Sequence, residues 1–215
     1  MKLLKKFLGR ESKDPLIDEQ KEKELDAFLE RLWKPFPDEW SLSKRDEALP
    51  GYVERQTQLV KQLAAELSLP LSTNPATLDS IWGHFLKARR IVGSSHPRAR
   101  LKGSRETDLQ LTRRYDLQTL ELMEKTGAFL GVALQRAVPG LHWVVGHMEG
   151  ENYAHEGEPV LRGFPGDFPE MNPTQVVRTL AHRAIAKPTP DELSRVFRLW
   201  VEGTVIPGLE DEEET

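Results

Sequence analysis

The chain contains no cysteine. Disulfides, thiolate metal sites, iron–sulfur clusters and cysteine nucleophiles are all excluded on that ground. Apolar residues are scarce as well: hydrophobic side chains make up 38% of the sequence and aromatic ones 7%, against 30% charged. No stretch approaches the roughly 18 uninterrupted apolar residues that mark a spanning helix. The opening "MKLLKKFLGRESK" is too short and too broken by lysine for the apolar region of a secretory signal. A cytoplasmic location without a membrane span is therefore expected. Phosphate cradles are missing too, since neither G-x-G-x-x-G nor G-x-x-x-x-G-K-[ST] occurs. The G-x-S-x-G turn of a serine hydrolase is also missing. A formal net charge of −4 argues for solubility and against a global attraction to nucleic acid.

What the chain does contain is helical periodicity punctuated by proline. Leu25, Phe28, Leu29, Leu32 and Trp33 form the stripe of a surface helix over Glu19–Trp33, ended by Pro35 and Pro37. A polar link, "DEWSLSKRDEALPG", is expected to pin Trp40. Tyr52, Leu59, Val60, Leu63 and Leu67 then predict a second helix from Tyr52 to Leu67, stopped by Pro70. Asn74 at an N-cap and Pro75 at the first helical position open a third, with Leu78, Ile81, Trp82 and Phe85 as its buried stripe. These helices form either a small bundle or an arm packed on the next unit.

Between Lys87 and Arg105 lie seven basic residues and no acid: Lys87, Arg89, Arg90, Arg98, Arg100, Lys102 and Arg105. Glycine, serine and proline within this stretch read as a flexible linker. The expected division is a flexible N-terminus (1–17), a helical region (18–92), the basic linker (93–106), an α+β domain (107–205) and an acidic disordered tail (206–215). Uncompensated cations could track phosphates with salt-dependent affinity. No aromatic side chains are interleaved for base stacking, and a solvated linker is the preferred reading.

The second half changes character. Asp116 caps a long helix expected through Ala137, with Leu120, Met123, Gly127, Leu130 and Leu134 at alternating steps of three and four. Glycine within a helix costs about 1 kcal/mol against alanine, so Gly127 and Gly131 imply that something approaches closely. "LHWVV" and "PVLRGF" predict a β-hairpin, with Trp143 and Val145 on one face. Two helices follow: one capped by Asn172 with Pro173 behind it, the other by Thr189 with Glu192 completing a capping box. Asp167 and Glu170 in "GDFPE" are expected to be cap and turn residues. The fold class is α+β: a helical N-terminal portion, then a helix–β-hairpin–helix–helix unit.

"TGAFLGVALQRAVPGLHWVVG", then "GEPVLRGFP", a capped helix and the closing "FRLWVE" are similar to a group of uncharacterised actinobacterial proteins. The signature resembles Gly-x-aromatic-Leu-Gly, then Val-Pro-Gly-x-x-Trp, then Pro-Val. The stretch is more loosely similar to immunity-type small α+β domains with a Gly-x-aromatic-x-Gly helix before a hairpin. The resemblance covers Leu117 to Val201 and, more faintly, "LSLPLSTNPATLDSI". It implies structural roles for Gly127 and Gly131 in close packing, and for Trp143 and Pro159 in the hairpin. It carries no catalytic residues. The chain departs from it in a longer hairpin loop and in the basic linker, and a function particular to this protein would lie there.

That hairpin loop sets His142, His147 and His155 among Glu149, Glu151, Glu156 and Glu158. Imidazole and carboxylate suit a divalent metal such as Zn²⁺ or acid–base work. However, ligands need rigid elements to hold them, and no regular His spacing is present. A solvated loop is the preferred reading, with no cofactor expected. The function expected is that of a non-enzymatic cytoplasmic interaction or regulatory protein binding a protein partner. A metal-dependent hydrolase built on the three histidines is the alternative, and nucleic-acid binding through the basic segment a third.

Overall fold

A computed structural model of the chain describes residues 35–72, 74–91, 115–147, 153, 155–165 and 170–203. The N-terminal segment 1–17, the helix expected over Glu19–Trp33 and the acidic tail lie outside them. So do Arg98, Arg100, Lys102 and Arg105, as well as Glu149, Glu151 and Asp167. The fold is α+β, with helices α1 (Leu42–Leu67), α2 (Pro75–Ala88), α3 (Leu117–Ala137), α4 (Pro173–Ala186) and α5 (Glu192–Glu202). Strands β1 (His142–Val145), β2 (Pro159–Arg162) and β3 (Glu170–Met171) form an antiparallel sheet in the order β1-β2-β3.

Helix α3 is the axis of the molecule. Gly127, Ala128, Phe129, Leu130 and Gly131 are consecutive and all buried, the pattern of a helix enclosed on every side rather than on one stripe. α1 and α4 pack along it, and α2 reaches it while also packing on α5. One continuous core runs from Val60 and Leu63 through Trp82, Phe85 and Leu134 to Leu193 and Phe197. Of the expected N-terminal helices, the two that are described, α1 and α2, pack on α3 of the following unit. The flanks of the basic segment also meet. Ile91 and Tyr115 form a β-bridge, the Asp116 N–H donates to the Arg90 carbonyl at 3.2 Å, and the Tyr115 hydroxyl donates to the Ala181 carbonyl at 2.8 Å.

Two glycines decide how closely the layers approach. A Cβ at Gly127 would lie 2.8 Å from the Cα of Thr174, at the start of α4; one at Gly131 would lie 3.1 Å from the Trp143 ring. Trp143, on β1 opposite Leu161 of β2, is held there by its indole N–H donating to Gln135 at 3.1 Å. The edge-to-face ring of Tyr52 packs on it at 5.5 Å. Burial pushes the Tyr52 hydroxyl well above the usual phenol range, partly opposed by its hydrogen bond with Thr174. Pro159 opens β2 opposite Val145.

Three local expectations need correction. The link ahead of Tyr52 is helix: α1 begins at Leu42, with the Ser41 side chain accepting from the Lys44 N–H, and it runs through Pro50. An interior proline removes a hydrogen bond and costs about 3 kcal/mol. Here the turns ahead of it are held from outside by Arg45. Its guanidinium donates to the carbonyls of Trp40 (3.0 Å), Gly157 (2.9 Å), Pro37 (3.2 Å) and Asp38 (3.0 Å). The same residues carry Trp40, which stacks on Phe36 at 6.2 Å. Secondly, Thr189 does not cap α5. Its carbonyl accepts the Trp82 indole N–H at 2.8 Å, a turn follows, and the helix starts at Glu192, whose side chain is buried instead of reaching back. Thirdly, Glu170 is not a turn residue but the first residue of a strand.

Arg45 thus ties the start of α1 to the hairpin loop. Hydrogen bonds to a charged group contribute about 1.5–3 kcal/mol each when lost. Arg45→Met, which keeps the aliphatic stem, is expected to lower the unfolding free energy by at least about 1.5 kcal/mol in urea titration. A neutral result would show that the guanidinium does not bridge these segments.

Candidate functional site

The hairpin closes between Gly146 and Gly157. The Gly146 N–H donates to the Glu158 carbonyl and the Gly157 N–H to the Gly146 carbonyl, both at 2.7 Å. Gly157 has φ +71°, and a Cβ on it would overlap Arg45 Nη1. The histidines do not gather. His142 is exposed, with Nδ1 2.8 Å from the Gly140 carbonyl. His147 Nδ1 pairs with Glu156 at 2.7 Å. His155 Nδ1 lies 3.2 Å from Glu158 Oε2, which also accepts from Asn172 Nδ2 at 3.1 Å. Each imidazole has a different oxygen partner, and among the described residues no three histidine or carboxylate side chains come together as metal ligands.

Of the seven basic residues singled out, the described ones are Lys87, Arg89 and Arg90, at the end of α2. Together with His84 and Lys125 they line a cavity of about 490 Å³, but Glu66 and Glu121 line it as well. Lys125 is paired with Glu66. Arg89 donates to the Leu86 carbonyl at 2.5 Å, and the Arg90 N–H donates to the Thr119 hydroxyl at 2.9 Å. The cations there are balanced in part and tied to the fold.

A different site emerges between α4 and α5. The Asn172 side chain caps α4 by accepting from the Gln175 N–H at 3.1 Å, and Pro173 fits the first turn because its missing N–H has no helical acceptor there. The two residues before the cap pair with β2, placing Glu170 directly opposite Arg162. Arg162 donates through Nε at 3.0 Å and Nη2 at 2.7 Å, both to Glu170 Oε2. Oε1 of the same carboxyl is buried without any hydrogen-bond partner, and the side chain is only 2% exposed. Leu193 and Phe197 turn α5 into the core, which leaves Val196, Leu199 and Trp200 half-buried along a cleft of about 270 Å³. Glu170 sits among the residues lining that cleft, with His155, Thr179 and Arg183 also on it. Trp200 is braced edge-on by Phe164 at 4.7 Å.

No protein-family model, curated protein or solved structure matches the chain. Among the described residues no helix is long and apolar enough to cross a membrane. The cleft was not visible in the sequence: a strand of two residues has no alternation to detect, and Glu170 resembled a turn residue.

Burial pushes the Glu170 carboxyl above its ordinary value of 4.5. Between the ordinary value and the raised one, the native state holds a proton that the unfolded chain has released. Stability attributable to this group falls as pH rises from the ordinary value through the raised one. Glu170→Gln removes that titration. The loss of melting temperature on going from pH 4.5 toward neutrality is expected to be smaller in the variant than in the parent chain; parallel profiles would contradict a raised pKa.

Proposed function

We propose that the protein is a non-enzymatic cytoplasmic interaction or regulatory module, and that it receives a protein partner on the α4–α5 face. The observation that carries this is the cleft: apolar walls from Val196, Leu199 and Trp200, with Glu170, one of whose carboxyl oxygens is buried without a partner, among its lining residues. Binding sites characteristically combine apolar walls with a few placed polar groups. A half-buried tryptophan at such a site is the type of residue on which interface energy concentrates. The likeness to the actinobacterial group is part of the same proposal and adds no activity to it.

A second reading, an anionic partner such as nucleic acid, is supported by the convergence of Lys87, Arg89, Arg90 and Lys125 on the α2–α3 cavity. Phosphate contacts of that kind weaken steeply with salt. One experiment separates the two. A photo-reactive amino acid is placed at Thr179 on the cleft, at Lys87, or at exposed Lys61 as a control, and cross-linking is carried out in cells with and without nuclease. The expected result is a discrete nuclease-resistant protein adduct from Thr179 that Lys61 does not give. A nuclease-sensitive adduct from Lys87 alone would replace the first reading with the second.

A further inference from the structure

Among the described residues that line the cleft between α4 and α5, Glu170 carries the one buried side-chain polar atom without a hydrogen-bond partner. His155 is paired with Glu158. Asn172 donates to Glu158 and accepts from the Gln175 N–H. The Thr179 hydroxyl donates to the Gln175 carbonyl at 3.0 Å, and Arg183 pairs with Glu192 at 3.1 Å. Glu170 Oε1 has no such partner. An unsatisfied buried carboxylate oxygen costs free energy that a hydrogen-bond donor recovers.

The geometry also selects the donor. Arg162 takes Oε2 with two N–H groups, so the edge of the carboxylate is occupied and a single oxygen is left. A second guanidinium is denied the two-oxygen fork that is its most favourable geometry, whereas an ammonium is a point donor that needs one oxygen. The walls of Val196, Leu199 and Trp200 suit the aliphatic stem of such a side chain. At about 270 Å³ the cleft falls below the roughly 300–1,000 Å³ of sites for drug-sized ligands, which fits one inserted side chain. We infer that this cleft is a lysine pocket: a lysine side chain of the protein partner enters between α4 and α5 and places its ammonium on Glu170 Oε1. This rests on the interaction reading above for the source of the lysine, but its chemistry is measured separately.

The test is a titration followed by NMR at the Trp200 indole N–H, assigned through Trp200→Phe. The probes are Nα-acetyl-lysine N-methylamide, the same compound acetylated on its ε-amine, the arginine analogue, and 1,5-diaminopentane. The blocked lysine is expected to shift the Trp200 signal saturably with a dissociation constant of about 1–10 mM, in the range open to a ligand of this size. The ε-acetylated and arginine probes are expected to bind at least about tenfold more weakly. Glu170→Gln should weaken the blocked lysine to the same degree, and Thr179→Trp, which fills the mouth without touching Glu170, should abolish the shift. The second variant decides the matter if the first fails to fold. No saturable shift, or equal binding of the acetylated or arginine probe, overturns the lysine pocket even if the Thr179 cross-link is found. Diaminopentane binding about tenfold tighter than blocked lysine would assign the cleft to free amines and overturn the protein source. A lysine shift without any cross-linked partner would fail the interaction reading alone.

Discussion

The start of α4 packs against Gly127 of α3 with Thr174 Cα inside the distance a Cβ would need. This contact has no slack, because protein interiors are packed like crystals and neighbouring backbone cannot yield cheaply. It sets where Pro173 and Asn172 lie and therefore where the preceding two residues can pair with β2. One turn along the same helix, Gly131 admits the Trp143 ring and seats the other edge of the sheet. Without these two missing methyl groups, α3 could not serve as a common wall for α1, α4 and the hairpin. The cleft and its carboxylate follow from that placement: Glu170 is buried because β3 is drawn in immediately before a helix that cannot move outward.

The interior is assembled with more charge than its size suggests. Glu124 on α3 pairs with Arg55 of α1, Glu170 on β3 with Arg162 of β2, and Glu192 on α5 with Arg183 of α4. In each pair the acid is buried and the arginine, more exposed, comes from a different element. Pairs of this kind are weak sources of net stability, because desolvation offsets attraction, but breaking one strands a charge. Their effect here is to specify which elements sit side by side in a chain with modest apolar content. Glu170 and Glu192 each give one oxygen to arginine and keep the other buried without a hydrogen-bond partner, but of the two it is Glu170 that lies among the residues lining the α4–α5 cleft.

Much of the fold was legible because its signals are local. Asn74–Pro75, Asp116 and Asn172–Pro173 mark three helix starts, and each cap forms the expected side-chain to backbone bond. The hairpin follows from alternation at Trp143 and Val145. Errors arose where distant partners override local chemistry. The stretch ahead of Tyr52 reads as a polar link until Arg45 is seen gripping four carbonyls, and Thr189 reads as a cap until the Trp82 indole claims its carbonyl. The site was least legible of all. His142, His147 and His155 stood out by composition, yet no rule of spacing brings Glu170 beside Trp200, which is some thirty residues away in sequence and reaches it only through tertiary packing.

Whether the glycine contact is a constraint or an accident decides the origin of the cleft. Gly83, within α2, has nothing within 4 Å of where a Cβ would stand, so it serves as the control. Gly83→Ala is expected to stabilise the protein by about 0.5–1 kcal/mol through helix propensity. Gly127→Ala should instead destabilise it by about 1–3 kcal/mol, as overpacking does, and should perturb the Trp200 indole resonance across the cleft. If both substitutions raise stability equally, the approach of α4 to α3 does not govern the structure, and the cleft owes its shape to something other than the missing methyl group.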